Sequence, residues 1–550
     1  MGSLLYYYHD MATETAARVS DAASIRTGST LTEETTTQAY GFRRYARLLL
    51  GVVVALAAFS LYVLTLAPSV MPGDYAEFQL CAAVLGVPHP TGYPLYVLLG
   101  KLFTLLPFGD VAYRVNFSSA AYMAGAVALL YWITLRLIRT TNIERGWWAA
   151  GIGAGLFAVA PTVWSMSLVA RSYALNALFV ASVISCLLLW RGTGRTRWFY
   201  LSCLFIGLSM VHHGTTYLLL PAYAAYLLLV EIERRRTVTD IRPVRRWAFG
   251  VASLLLGLSP LLFLVYRFVG GSPYYWGNPS SWKDFFSLLT GGPFHNQVMG
   301  FGWGSQFERV AFGLSELSGQ YTLAGIALGM VGLVVLWRTL RSEAMLLTLM
   351  MLGNFLFAMN YSLVGYLYFI PTYLIWAIFI AVGLAWVVHL LLAQTVGRGL
   401  AIARYAVAVA GILFVGAIVY AGALRYPNID QSGQTQVRDE ALALLKVAPR
   451  GASLYLDWED LSVIRFYRMV YGERPDLTLY SGDPGDWAKW VWCDWSNGNA
   501  AYVGEFAGAI PPIIERDFKL EPAPMGRRVL DALNSKLYEV PPCGMCATCR

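Results

Sequence analysis

Long apolar stretches alternate with short polar, often arginine-rich connections along most of the chain. They lie near residues 47–67, 115–137, 147–165, 173–190, 198–212, 214–231, 247–269, 321–337, 343–361, 364–390 and 401–422. An α-helix crosses a bilayer in roughly 20 residues, so the pattern predicts about eleven transmembrane helices. The stretch 94–108 is shorter and carries Lys101, which predicts a helix lying along the membrane interface. Residues 1–40 are polar and rich in Thr and Ala and read as a disordered tail. They lack the basic-then-apolar plan of a cleavable signal peptide, and Tyr6 stands where a myristoylation signal needs Ser or Thr. From about Arg425 the pattern becomes that of a soluble α/β unit, with helical 437–447 and 460–471 and strand-like 453–456, 477–480 and 500–504. The expected organisation is therefore a mainly α, polytopic membrane protein with a tail (1–40), a helical bundle (41–424) and a small α/β domain (425–550).

Composition agrees: 57% of residues are hydrophobic and only 13% charged, which fits no soluble globular class. The net charge of +8 would suit a nucleic-acid partner, but its distribution argues for topology instead. Arginines cluster before the first span (Arg43, Arg44, Arg47), after the second (Arg136, Arg139, Arg145) and after the fourth (Arg191, Arg195, Arg197). The alternation continues after the sixth (Arg234, Arg235, Arg236, Arg242, Arg245, Arg246), the eighth (Arg338, Arg341) and the tenth (Arg398, Arg404). Every second loop is basic, so the positive-inside rule predicts a cytoplasmic N-terminus and an extracytoplasmic C-terminal domain. No nucleic-acid partner is expected.

That parity sorts the unusual polar residues onto one side. Asp74 and Glu77 follow the first span, and the i, i+3 spacing puts both carboxylates on one face if the segment is helical. Acids at a bilayer boundary are costly and, where they persist, face a water- or substrate-filled cavity. They suit a general base with a second carboxylate to orient it or to bind acceptor or cation; the alternative is a pair of solvated acids favouring a helix N-terminus. His89 and Tyr93 lie in the proline-rich loop Val87-Pro88-His89-Pro90-Thr91-Gly92-Tyr93-Pro94 beside them. Arg114, Arg171 and Arg267 are basic residues on the side that should be poor in them, and a guanidinium matches a phosphate through two parallel hydrogen bonds. Headgroup contact by snorkelling is the alternative for each.

His212 and His213 also fall at an outer helix end, but adjacent helical residues diverge, so they suit hydrogen bonding to phosphate or sugar better than a metal site. The loop Gly270 to Gln320, rich in Gly and aromatic residues, includes Tyr274-Tyr275-Trp276-Gly277-Asn278-Pro279 and is long enough to be functional. Gly151-Ile152-Gly153-Ala154-Gly155 sits inside a predicted span, where close helix packing explains it better than phosphate binding. Cys543, Cys546 and Cys549, with Cys493 as a fourth sulfur, are an incomplete metal or cluster motif in a segment where disulfides fit equally.

Several of these residues stand in a pattern that resembles a known family. Leu66-Ala67-Pro68, Pro72-Gly73-Asp74, Glu77-Phe78, His89-Pro90-Thr91-Gly92-Tyr93-Pro94-Leu95, Pro107-Phe108-Gly109 and Tyr113-Arg114-Val115-Asn116 resemble the transmembrane O-mannosyltransferase-like branch of the GT-C glycosyltransferases. The likeness continues in Tyr173-Ala174-Leu175-Asn176, Gly207-Leu208-Ser209, His212-His213, Trp276-Gly277-Asn278-Pro279 and Arg425-Tyr426-Pro427-Asn428-Ile429-Asp430. It implies a GT-C fold, a polyprenyl-phosphate-linked sugar donor, an external site, and the acid at Asp74 as base. The motif positions Asn116, Trp276 and Asn278 join the expected substrate-binding set. Two places depart from the pattern: Arg171 stands where an acid commonly precedes the Tyr-Ala-Leu-Asn stretch, and Asn360-Tyr361-Ser362-Leu363-Val364-Gly365-Tyr366 lacks acids often found there.

The expected function is that of an integral membrane glycosyltransferase, in the plasma membrane of a prokaryote, moving a sugar such as mannose from a polyprenyl phosphate to a hydroxyl on a protein, glycan or lipid. A divalent cation is compatible with the acids but no cofactor is required by the pattern. The rival classes are a transporter or flippase, which should show inverted repeats and mid-membrane charges, and an inactive scaffold with a partner-binding outer domain.

Overall fold

The computed structural model describes residues 30–141, 143, 146–237, 243–363, 365–393, 398–480, 487, 490–494, 500–504, 521–522 and 537–540. The chain from Gly51 onward forms one compact unit. Seven helices are long and apolar enough to cross a membrane: Tyr45–Leu64, Val111–Thr140, Ser172–Thr193, Thr216–Arg234, Trp303–Thr339, Arg341–Asn360 and Gly365–Ala393. Val244–Leu258 and Leu261–Gly270, bent by 41° at their junction, make an eighth if they act together.

The described residues thus carry seven or eight of the roughly eleven spans expected. The predicted span 147–165 is divided into Trp147–Ala158 and Pro161–Ser165, because Pro161 cannot donate to the preceding turn and starts a new one. The 198–212 span is the 17-residue helix Thr196–His212, and 401–422 lies within Arg398–Ile429. Pro94–Thr104 is the short helix expected there. The sulfur cluster Cys543, Cys546 and Cys549 lies outside the described residues.

Glycine sets the closest helix contacts. A Cβ on Gly332 would meet the Phe379 carbonyl, and one on Gly383 the Leu328 carbonyl, so the Gln306–Thr339 and Ile370–Ala393 helices touch backbone to backbone. Gly207 and Gly257 do the same for Thr196–His212 and Pro243–Leu258. In a membrane, where lipid is as apolar as Leu, such van der Waals contact is a principal source of helix association. Gly153 also packs against the Ala377 carbonyl, as the packing interpretation of that glycine run anticipates.

Beyond Ile429 the α/β segment follows the sequence pattern closely. Helix Gln436–Val447 precedes β1 (Ser453–Tyr455); helix Trp458–Tyr471 then crosses to β2 (Thr478–Tyr480), which pairs parallel with β1 in the register Ser453 to Thr478. β3 (Ala501–Gly504) lies parallel on the other side of β1, and β5 (Leu537–Val540) and β4 (Glu521–Pro522) extend the sheet antiparallel, in the order β2-β1-β3-β5-β4. The parallel β1 to β2 connection needs a crossover, and the Trp458–Tyr471 helix supplies it. Its buried face, including Leu461, Ile464 and Tyr467, shares one apolar core with Val70, Ala76 and Leu80 of the first loop. That shared core brings the far end of the chain against the helix Asp74–Val84.

Candidate active site

Asp74 begins its helix, and the turn that aims it depends on Gly73. Gly73 adopts φ 63° and ψ −135°, and a side chain there would run into the Glu459 carboxylate. The Gly73 N–H donates to the Glu459 carbonyl (3.2 Å), so the start of this helix is tied to the start of Trp458–Tyr471. On the facing side the anchor is Asn116. Buried in the Val111–Thr140 helix, it donates to the carbonyls of Ala67 (3.0 Å) and Ser69 (3.1 Å) and accepts from Gln79 (2.8 Å) and the Ala170 N–H (2.9 Å). One amide therefore fixes both the entry to the first loop and the residue before Arg171.

The consequence is a tight polar cluster. Arg171 Nη1 donates to Asp74 Oδ2 (2.6 Å), the Trp458 indole N–H donates to Asp74 Oδ1 (3.0 Å), and His89 Nδ1 stands 4.0 Å from that same oxygen. Glu77 lies beneath, 1% exposed, and accepts from the His89 backbone N–H (3.1 Å) and the Tyr274 hydroxyl (2.8 Å), with His89 Nδ1 at 2.5 Å. The loops are clasped by backbone as well: Val87 N–H donates to Tyr274 O and Trp276 N–H to Val87 O, both at 2.9 Å. The i, i+3 acids do share a face, and the imidazole of His89 fits between them.

Burial alone would raise the Asp74 pKa, but His89, Arg171 and the Trp458 hydrogen bond outweigh it and hold the carboxyl below its ordinary range. Burial alone would lower that of His89; the charges of Asp74 and Glu77 win and raise it. Burial opposes the charge on Arg171 too, yet Asp74 keeps it more firmly protonated than usual. Arg171 Nε is buried with no partner, and its guanidinium lies 4.7 Å from the centre of the Tyr75 ring.

Asp74, His89, Tyr93, Arg171, Trp276 and Asn278 line one cavity of about 950 Å3. The sequence had grouped all six. Glu77, the second acid expected at the site, is not among the residues that line the cavity and contacts the lining residue His89 instead. Five other expected binding residues do not line this cavity. Arg114 donates to the Thr104 (2.5 Å) and Gly109 (3.0 Å) carbonyls and closes its own turn. His212 Nε2 is 2.9 Å from the Ser172 carbonyl, and His213 Nδ1 is 2.8 Å from the Thr215 hydroxyl; both are buried behind the wall. Arg267 lies over Phe263 and Tyr266 at 5.5 and 5.6 Å. Asn116 is fully engaged in the scaffold. These placements share a cause: charge alternation along the sequence carries no information on the direction in which a side chain points or on which neighbours the fold gives it.

Sequence reasoning missed Trp458 and Arg465, which line the cavity from the α/β segment, and gave no role to Tyr274, which holds Glu77. A tryptophan just after the N-cap Asp457 carries no periodic signal that marks it. Asp74, Glu77 and His89 each offer a metal-ligating atom within 4.8 Å of the others. Those atoms already serve Arg171, Trp458, Tyr274 and one another, so a cation there would have to displace these contacts.

The fold is that of the GT-C membrane glycosyltransferases. The structure of ArnT from Cupriavidus metallidurans bound to undecaprenyl phosphate superposes with a TM-score of 0.53 at 16% identity, over 90% of this chain and 97% of that one. The apo oligosaccharyltransferase of Archaeoglobus fulgidus gives 0.53 at 14% identity, over 84% and 70%. At the level of sequence, residues 74–236 match the family described as the Protein O-mannosyl-transferase TMEM260 N-terminal domain. The mouse Protein O-mannosyl-transferase TMEM260 is 29% identical over 244 residues, 43% of this chain and 33% of the relative. Its Dictyostelium discoideum counterpart is 27% identical over 308 residues, 52% and 36%. The chain is thus O-mannosyltransferase-like in sequence and GT-C in fold, and it spans about a third of the length of these curated relatives.

Asn116→Ala strips one donor group and one acceptor from four buried partners, at about 1–3 kcal/mol for each group left unsatisfied. The expected result is a clearly lower thermal unfolding midpoint in detergent, and an unchanged midpoint would remove Asn116 from this scaffold role.

Proposed function

We propose that this protein transfers a sugar, mannose by analogy with its relatives, from a polyprenyl phosphate to an acceptor hydroxyl, with Asp74 as the base. The observation that carries this reading is the pairing of Asp74 with Arg171 at the wall of the cavity, on a GT-C fold. In the reaction the bond from the sugar C1 to the phosphate oxygen breaks and a bond from C1 to the acceptor oxygen forms. The acceptor proton passes to Asp74, and the polyprenyl phosphate leaves with the electron pair of the broken bond. Arg171, which lines the cavity, meets the phosphate and stabilises the charge that develops on it. The aromatic lining, including Tyr93, Tyr173 and Trp276, offers flat apolar faces for the sugar ring.

In this reading the cavity opens on the extracytoplasmic side of the membrane, the side that the arginine alternation favours, and the membrane is taken to be a prokaryotic plasma membrane. A lipid-linked donor reaches it from the bilayer, and a protein hydroxyl from the aqueous side.

Asp74→Asn keeps the shape and loses the base, so transfer should fall about a hundredfold or more. In the parent enzyme the rate should hold at neutral pH and decline as acid protonates a carboxylate whose pKa lies below its ordinary value. Turnover at the normal rate by Asp74→Asn would remove this assignment. Arg171→Lys retains charge without the planar fork, so donor use should weaken less than in Arg171→Ala and more than in the surface control Arg195→Lys. Unchanged donor affinity in Arg171→Ala would leave Arg171 as a partner of Asp74 alone. For orientation, Ser280→Cys and Ser432→Cys, each in a background without the native exposed cysteine Cys493 and the terminal cysteines, should react with an impermeant thiol reagent from outside. Labelling only from the cytoplasm would invert the topology.

A further inference from the structure

Asp74 receives its two hydrogen bonds from opposite ends of the sequence. Arg171, at the start of the Ser172–Thr193 helix, holds Oδ2, while Trp458, at the start of the helix after β1, holds Oδ1. The second contact spans 384 positions along the chain. It is reinforced one residue away on each partner: Gly73 N–H donates to Glu459 O, and the absent side chain of Gly73 leaves the space that the Glu459 carboxylate fills. Behind this clasp the Trp458–Tyr471 helix and the Asp74–Val84 helix share one apolar core. The indole also lines the cavity, so the N–H that grips Asp74 belongs to a ring that faces the substrate space.

We propose that Trp458 is a positioning residue for the base, through which docking of the α/β segment turns the Asp74 carboxylate into its working orientation. The inference rests on the reading of Asp74 as the base. A carboxylate has two oxygens and one torsion that aims them, and Arg171 on Oδ2 fixes that torsion only in part. Trp458 on Oδ1 completes it, in a carboxylate that lines the cavity from which the acceptor proton would come. The base is competent only when the α/β segment is seated.

The groups that face Asp74 decide how its titration responds. They are His89 and Glu77 from the first loop, Arg171 from the Ser172–Thr193 helix start and Glu459 from the outer helix. Tyr93 and Tyr361 also face it and stay neutral, since burial raises both. Removing the indole donor withdraws a bond made to the ionised carboxylate, so the Asp74 pKa must rise and the acidic limb of the rate profile must move to higher pH.

The test measures mannosyl transfer from polyprenyl-phosphate mannose to membranes of a strain lacking this chain, with the full-length enzyme in detergent across a pH series. Trp458→Phe keeps the ring and loses the N–H. It should lower kcat about tenfold or more with little change in KM for the donor, as for a misaimed catalytic group, and move the acidic limb up by about half a pH unit. Trp458→His, which restores a ring N–H donor, should recover part of the rate and return the limb toward its original position. Equal losses in the Phe and His variants with the limb unmoved would overturn the proposal and leave Trp458 as packing. If Trp458→Phe is recovered unfolded, the His variant decides: a limb displaced no further than about a tenth of a unit supports the N–H role, and a fully displaced limb defeats it. Asp74→Asn is assayed alongside. An active Asp74→Asn enzyme sinks the base assignment itself, whereas an inert one with an unmoved limb in Trp458→Phe sinks only this inference.

Discussion

A carboxylate drawn partly out of water beside a lipid bilayer survives only if its charge is met, and Arg171 meets that of Asp74 at 2.6 Å. The pair sets conditions on everything near it. His89 must sit within reach of both Asp74 and Glu77, which requires the proline-rich loop to fold back under the helix that carries the acids. Glu77, itself 1% exposed, must then be satisfied, and the hydroxyl of Tyr274 does so from a loop almost two hundred residues later in the sequence. Two carboxyl groups, an imidazole and a guanidinium thus close on one another, and each contact relieves a burial cost that would otherwise fall on its neighbour.

Holding such a cluster needs rigid backing more than strong bonds. Asn116 supplies it by tying the segments before Asp74 and before Arg171 to the same amide, so the two members of the ion pair cannot drift independently. Gly73 supplies it differently, by having no side chain: its positive φ and the room it leaves let two helix starts approach. The membrane helices behind them make contact through Gly332, Gly383, Gly207 and Gly257, where backbones touch directly.

How far the sequence could be read follows from which signals are local. Hydrophobic runs located nearly every helix because length and composition are properties of a segment; the 147–165 run misled because the break at Pro161 is a backbone effect inside an apolar stretch. Asp74, Glu77 and His89 were legible because they fall within sixteen residues of one loop. Arg171 was recognised as out of place, yet its partner lies 97 residues away, so its ion pair was not visible. Arg114, Arg267, His212 and His213 were grouped with it by expected membrane side, by residue chemistry and, for Arg114 and the two histidines, by motif, and the fold gives each a different neighbour. Trp458 was missed altogether, since nothing in a tryptophan at the start of an amphipathic helix tells that it reaches a carboxylate in the first loop.

On the proposed reading Asp74 is a weak base, held below its ordinary pKa, and the chemistry makes that weakness acceptable. If the leaving group is a phosphate, the bond to the sugar can break with little help, and the sugar C1 becomes electron-poor before the acceptor closes on it. An acceptor hydroxyl becomes strongly acidic as its oxygen bonds to such a carbon, so its proton needs a nearby ionised acceptor and not a strong one. Ionisation at neutral pH is what Arg171, His89 and Trp458 secure for Asp74. On the proposed reading the same guanidinium, which lines the cavity, also meets the departing phosphate, so that Arg171 serves both the base and the leaving group. One cation shared in this way would favour the arrangement in which donor and acceptor are both present, because only then are the carboxylate, the proton and the phosphate all paired.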